Sequence, residues 1–294
     1  MTLEKQRRIA MSHRKKTGIT IILSIFICLM GLLGSVAGSL RYAMRDSAIE
    51  TLAQEWDISQ MQITKIAAYL SMAQFLAVMM ETPGIDETGT EKLMNADYTR
   101  DFIAAKIRDY REDLLRNSGE GRISFSELIR LEEENREAVC RDLSYSISAA
   151  DLERYGTVWD NLALTERSAL TYYRSDTPVL FAFAQVALSV WFLAAVAVLC
   201  VPGAGAAFWY LYGRSFKGYN VYGMVLVLIG AVDCITAMLR GNLVSMVNRI
   251  LDVRGNLMTL VFTPVANMLL VIGICCILVG VLAFALRAFT KNRR

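Results

Sequence analysis

The chain has 294 residues, 54% hydrophobic and 20% charged, with a formal net charge of +3. Soluble domains average about 45–50% apolar residues, and here the excess is concentrated in a few long runs, which excludes an ordinary soluble domain. The near-neutral total conceals a partition. Residues 41–177 carry 16 basic and 25 acidic side chains, a net of −9, while the remainder nets +12.

In chain order, residues 1–18 form a basic tail with Lys5, Arg7, Arg8, Arg14, Lys15 and Lys16. Residues 19–40, "ITIILSIFICLMGLLGSVAGSL", contain no charge. About 20 apolar residues in a helix cover the ~30 Å hydrocarbon core, so this run predicts a first transmembrane helix. The same tail, run and "SVAGS" also fit a cleavable signal peptide with Ala37 before the cut. The length of the run favours an uncleaved anchor.

Residues 41–177 read as helical throughout. "SAIETLAQEW" is expected to continue from the first span. "SQMQITKIAAYLSMAQFLAVMM" is expected as one helix capped at Ser59, and "TPGIDETGT" as a break. "DYTRDFIAAKIRDYREDLL" and "SELIRLEEENREAVCRDLSYSI" are amphipathic, the latter with an acidic face at Glu132–Glu134. "SAADLERYG" opens with a capping box, Ser148 to Asp151, and "TERSALTYYR" leads to the next apolar run. The only cysteine here, Cys140, excludes an internal disulfide; a buried thiol is expected.

Apolar runs at 179–201, 221–239 and 265–286 predict three further spans. The second is assigned to 178–213, with a kink or an exit at Pro202. Trp209, Tyr210 and Tyr212 fit an interfacial aromatic belt. The third span is 219–239 and the fourth 264–286. Between them, 240–263 contains the echo "RGNLV" and "RGNLM", fourteen residues apart, and reads as a helix lying on the membrane surface. Residues 287–294 are a second basic tail. The fold class expected is therefore all-α: a four-pass helical membrane protein with a helical-bundle domain inserted between spans one and two.

Orientation follows from Lys and Arg. The two tails and the link between spans two and three (Arg214, Lys217) hold twelve; the link between spans three and four holds Arg240, Arg249 and Arg254. Both termini are then cytoplasmic in a cell-membrane protein, and 41–177 is extracytoplasmic. The basic excess faces anionic lipid rather than nucleic acid, and the acidic domain is expected to bind a protein partner.

Two positions carry candidate chemistry. In "RNSGEGRISFSEL", 116–128, Gly121 is followed by Ile123 and then Glu127. This stretch resembles an EF-hand loop. The resemblance implies Ser118, Glu120, Arg122 (through its carbonyl), Ser124 and Glu127 as ligands of a weakly bound extracellular calcium. Arg116 stands where that family has its first aspartate. The competing reading is a helix stop followed by the capping box Ser124–Glu127. The second position is Asp233, the one ionisable residue deep in a span, with Arg240 two turns on as a prospective partner. Such a residue marks an ion pathway or an interhelical hydrogen bond. Gly34 with Gly38, and Gly273 with Gly280, mark faces for close helix packing or oligomer formation. The only histidine, His13, lies in the tail, and there is neither zinc spacing nor a Walker-type loop. No enzymatic activity and no other cofactor are expected. The function expected is a sensor, receptor or assembly subunit, with a small transporter or channel subunit using Asp233 as the alternative.

Overall fold

The computed structural model describes residues 3–60, 62–63, 71, 74, 87–116, 125–144, 146, 148, 178–212, 216–251 and 253–291. They are almost wholly helical, and the chain divides into two compact units. Four helices are long and apolar enough to cross a membrane: Lys16–Ala43, Val190–Leu211, Phe216–Met238 and Leu257–Thr290.

The apolar unit comprises Met1–Arg41, Ala187–Leu239 and Val265–Arg294. Helix α1 (Leu3–Ala43) contributes Ile27 to its core. In the second apolar run the helix is interrupted. Helix α7 (Pro178–Leu188) ends where Ser189 adopts an extended backbone, and α8 (Val190–Val198) begins with the Ser189 hydroxyl accepting from the Phe192 N–H at 3.1 Å. That is an N-cap in the middle of a stretch the periodicity reads as continuous. The Arg41 guanidinium donates to the Leu188 carbonyl, so a cation covers a carbonyl left bare at the helix end.

At Pro202 the helix neither kinks out nor stops. It widens into a π turn, Leu199–Gly203, and continues as α9 (Ala204–Leu211). Pro202 has no N–H to donate, and an added Gly203 side chain would begin 3.1 Å from the Val198 carbonyl. The Tyr222 hydroxyl donates to the Val201 carbonyl at 2.8 Å across the turn. A short 3₁₀ turn, Phe216–Gly218, leads into α10 (Tyr219–Met238), the third apolar helix. The last, α12 (Leu257–Lys291), packs on α10 through glycine: a Cβ on Gly223 would stand 2.7 Å from the Gly280 carbonyl oxygen. The core joins Ile27, Val196, Cys200, Phe208, Leu226, Ile229 and Ala283.

The polar unit comprises Tyr42–Val186 and Arg240–Pro264. The first span does not run on into "SAIETLAQEW": Arg45 is extended, its guanidinium lying 3.9 Å over the Tyr42 ring, and α2 (Asp46–Glu55) starts afresh. Arg111 holds this corner, donating to the Met44 carbonyl at 3.1 Å and to Asp46 at 2.6 Å. Helix α3 (Glu87–Asn95) starts inside the expected break, with Gly89 and Thr90 buried. Burial there outweighs the low helix propensity of Gly and Thr. Helix α4 (Asp97–Arg116) follows as expected. Against α2 it sets Ala104 and Ile107 on Ile49 and Ala53, flanked by the ion pairs Arg108–Glu50 (2.7 Å) and Arg111–Asp46 (2.6 Å).

The next expected helix is two, α5 (Phe125–Glu134) and α6 (Arg136–Leu143), broken at Asn135 and closed by left-handed Ser144. Ser59 donates to Asp57 at 2.8 Å and accepts from Asn95 at 3.1 Å, in a turn rather than at a helix cap. Ser71 and Gln74 exchange two hydrogen bonds, a reciprocal helix-start pair inside the stretch expected to be one helix. The segments "SAADLERYG" beyond Ser148 and "TERSALTYYR" lie outside the described residues.

Helix α11 (Arg240–Leu251) covers only the first half of the expected 240–263 helix. The second "RGN" is extended at Arg254 and bends at Gly255, φ 123°, so the echo is one of sequence and not of conformation. Strands β1 (Gln62–Ile63) and β2 (Val253–Arg254) make one short antiparallel pair.

Candidate functional site

In the apolar unit the site is Asp233. Helix α10 is apolar around most of its circumference, so the helix buries on several sides and carries this carboxyl inward; Asp233 is 2% exposed. One carboxyl oxygen, Oδ2, has no hydrogen-bond partner. The side chain that meets it from α1 is Ser35, itself buried, whose hydroxyl donates to the Gly31 carbonyl at 3.0 Å. One turn further along α1, Ser39 is 0% exposed and its hydroxyl is also unpartnered. Cys28 and Cys276 lie within electrostatic reach of the carboxyl. Carboxyl and thiols do not converge on a point: among the described residues no group of three or more His, Cys, Asp or Glu is placed to hold a metal ion. Arg240, the partner expected for Asp233, instead places Nη1 3.4 Å from the Thr263 hydroxyl. The arrangement presents a buried acid and the Ser35 hydroxyl to a proton or a hydrogen-bond donor.

Ser35 and Ser39 stand in "GSVAGS", a stretch the sequence reading weighs only for small-residue packing and signal cleavage. Their spacing of four, one helical turn, is the signal that places them on one face of α1. Of the two glycines in that stretch, a Cβ on Gly34 would stand 2.6 Å from Val196 Cγ1, whereas Gly38 faces open space.

In the polar unit, Glu127 lies in the first turn of α5, and Ser118, Glu120, Arg122 and Ser124 lie outside the described residues. Glu127 receives the Lys106 ammonium from α4, which also pairs with Asp109 at 3.0 Å. Lys106 is 8% exposed. Burial lowers its pKa more than any other single influence, yet the hydrogen bonds and charges of Glu127 and Asp109 together outweigh it and hold the pKa above the ordinary lysine value. Burial likewise raises the pKa of the half-buried Tyr110. The carboxylate that the EF-hand resemblance assigns to calcium is therefore occupied by an internal cation, which an incoming ion must displace.

No family model, characterised protein or solved structure matches the chain. What the fold defines is a class: a helical protein with four helices long and apolar enough to cross a membrane, carrying in addition a charged helical unit.

Proposed function

We propose that this chain is an integral membrane protein whose four apolar helices span a cell membrane with both termini cytoplasmic. The unit built mainly from 41–177 is extracytoplasmic and binds a partner, as in a sensor, receptor or assembly subunit, without catalysis. The observation that carries this reading is the contrast between the surfaces of the two units. The apolar unit exposes large side chains along every apolar helix, among them Ile22, Trp191, Met224 and Leu282, as a surface facing hydrocarbon does. Among the described residues from 42 to 148, no large apolar side chain is exposed. The exposed residues there include Glu133, Glu134 and Glu137, in a segment of net charge −9. A partner of that surface is recognised through charge, which favours a basic protein face.

The test is cross-linking in intact membranes of the full chain and of the triple variant Glu133→Gln, Glu134→Gln, Glu137→Gln. Loss of a defined cross-linked species in the variant and at 0.5 M salt (about a 4 Å screening length) is the expected result. An unchanged species under both conditions would sink the reading. Orientation is read separately, from labelling of a cysteine at Ser146 by a membrane-impermeant maleimide.

One observation favours a second reading, transport: the buried, half-partnered carboxyl of Asp233 beside Ser35. Asp233→Asn keeps the shape and removes the charge. Loss of ion-dependent uptake at unchanged membrane abundance would select transport over partner binding.

A further inference from the structure

What surrounds Asp233 decides which ion it can take. From α1, Ser35 is hydrogen-bonded to the carboxyl and the Cys28 thiol lies within electrostatic reach. From α12 the Cys276 thiol lies within reach too, and Cys234 follows on α10 itself. Asp233 makes no ion pair among the described residues. The α12 side is closed: a Cβ on Gly273 would stand 3.2 Å from the Asp233 Cβ and 2.8 Å from the Gly230 carbonyl oxygen.

That donor set does not suit a metal cation. Hard cations such as calcium and magnesium take about six or more oxygen ligands. One carboxyl and one hydroxyl fall far short, and the carbonyls within a continuous helix are engaged in its own backbone bonds. Thiols suit soft metals, but among the described residues no group of three or more His, Cys, Asp or Glu could hold one.

A proton does fit. The Ser35 hydroxyl has one hydrogen and two acceptors in reach, the Gly31 carbonyl at 3.0 Å and the Asp233 carboxyl. When the carboxyl is protonated, its O–H donates to Ser35 Oγ and the Ser35 O–H donates to Gly31, so both hydrogens are used in one chain. When it is ionised, the Ser35 hydrogen turns to the carboxylate, and the Gly31 carbonyl keeps its backbone bond within α1. The oxygen left without a partner, Oδ2, is tolerated far better in a neutral acid than in a buried carboxylate.

We infer that Asp233 is a proton-binding site in which Ser35 is the switching hydrogen-bond partner. On uptake one O–H bond forms on the carboxylate and the Ser35 hydrogen swings to Gly31; release reverses both, and no other bond changes. The inference deepens the transport reading by naming its ion, and rests on that reading for the ion to cross the membrane.

The site is tested on the full chain in lipid by infrared spectroscopy over a pH series, following the carbonyl stretch of a protonated carboxyl. The expected result is a band that fades as pH rises, is missing from Asp233→Asn, and is unaffected by sodium, potassium or calcium. Ser35→Ala should keep the band and move its midpoint up by about one pH unit, a tenfold change in proton affinity. The ionised form loses the stronger, charge-assisted hydrogen bond. Ser35→Thr, which keeps the hydroxyl, should restore the parent midpoint. A band indifferent to pH, its displacement by one of the metal ions, no band assignable to Asp233, or an unmoved midpoint in Ser35→Ala would overturn the inference. Failure of the transport reading shows separately: a titrating Asp233 band with ion-dependent uptake unaltered in Asp233→Asn leaves the proton site standing and removes transport.

Discussion

Gly230 of α10 and Gly273 of α12 meet backbone to backbone. A Cβ on Gly273 would stand 2.8 Å from the Gly230 carbonyl oxygen and 2.8 Å from the Cys234 sulfur, and a Cβ on Gly230 would come closer still to the Gly273 carbonyl. Seven residues away on each helix, Gly223 and Gly280 repeat the contact, their prospective Cβ atoms 2.7 and 2.8 Å from each other's carbonyl oxygens. Two antiparallel helices with glycines seven apart thus approach at two points two turns apart.

That geometry predicts that Gly230→Val and Gly273→Leu destabilise the full chain in detergent. Overpacking a tight contact costs about 1–3 kcal/mol, and here the opposing atoms include main-chain carbonyl oxygens, which have no rotamer to change. Gly38→Ala is the control, because a Cβ there meets nothing within 4 Å. It should be neutral or stabilising by up to about 1 kcal/mol. Thermal unfolding of the three variants decides it; equal midpoints would remove the glycine contacts from the account.

Ser189 predicts a second effect. Ser189→Ala removes the N-cap of α8 and should cost about 1 kcal/mol. Arg41→Met removes the guanidinium from the Leu188 carbonyl and should cost about 1.5–3 kcal/mol, the range for a hydrogen bond to a charged group. The two groups serve opposite sides of one helix break, so the double variant should lose less than the sum of the singles. Strict additivity, measured by unfolding, would show the break to be held by something else.

The four apolar helices were legible because hydrocarbon crossing needs only length and composition, and α4 was legible because its apolar residues recur at helical spacing. The break at Ser189 was not. A serine within "AFAQVALSVWFLAAV" is ordinary in a continuous helix, and only Arg41, distant in sequence, distinguishes the broken form. Gly273 with Gly280 was visible as a pair, but its partner pair Gly223 and Gly230 acquires meaning only when the helices are laid antiparallel. Asp233 is buried, but Ser35, which meets it from α1, was passed over and Arg240 was preferred. Seven residues place two side chains on one face, but they do not show that the helix continues: α10 ends at Met238 and α11 starts at Arg240.

Asn256 joins distant parts of the polar unit. Its side chain accepts from the Asp57 N–H at 3.2 Å and donates to the Glu55 carbonyl at 2.8 Å, closing the end of α2. Asn256→Ala should cost about 1–3 kcal/mol from two hydrogen bonds. Gly255→Ala, at φ 123°, should cost about 1–3 kcal/mol through strain alone. Asn242→Ala, at the equivalent position of the first "RGN" but exposed on α11, should lie within about 0.5 kcal/mol of the parent. Equal losses at 242 and 256 would restore the echo as a structural repeat.

The Lys106–Glu127 pair fixes a pH dependence with a definite sign. Lys106 has its pKa raised in the folded chain above its ordinary value of 10.5. Its contribution is therefore fully present below the unfolded pKa and is lost as pH rises through the higher folded one. Relative to Lys106→Met, the parent should hold a constant stability advantage of about 1.5–3 kcal/mol from neutral pH to about pH 10. The advantage should shrink above that. An advantage that grows with pH would contradict the pairing. The same pair governs calcium. Because the ammonium already sits on Glu127, millimolar calcium should leave the melting temperature of the parent unchanged. A rise abolished by Glu127→Gln would show that calcium displaces Lys106, and would make 116–128 a working external calcium loop despite Arg116.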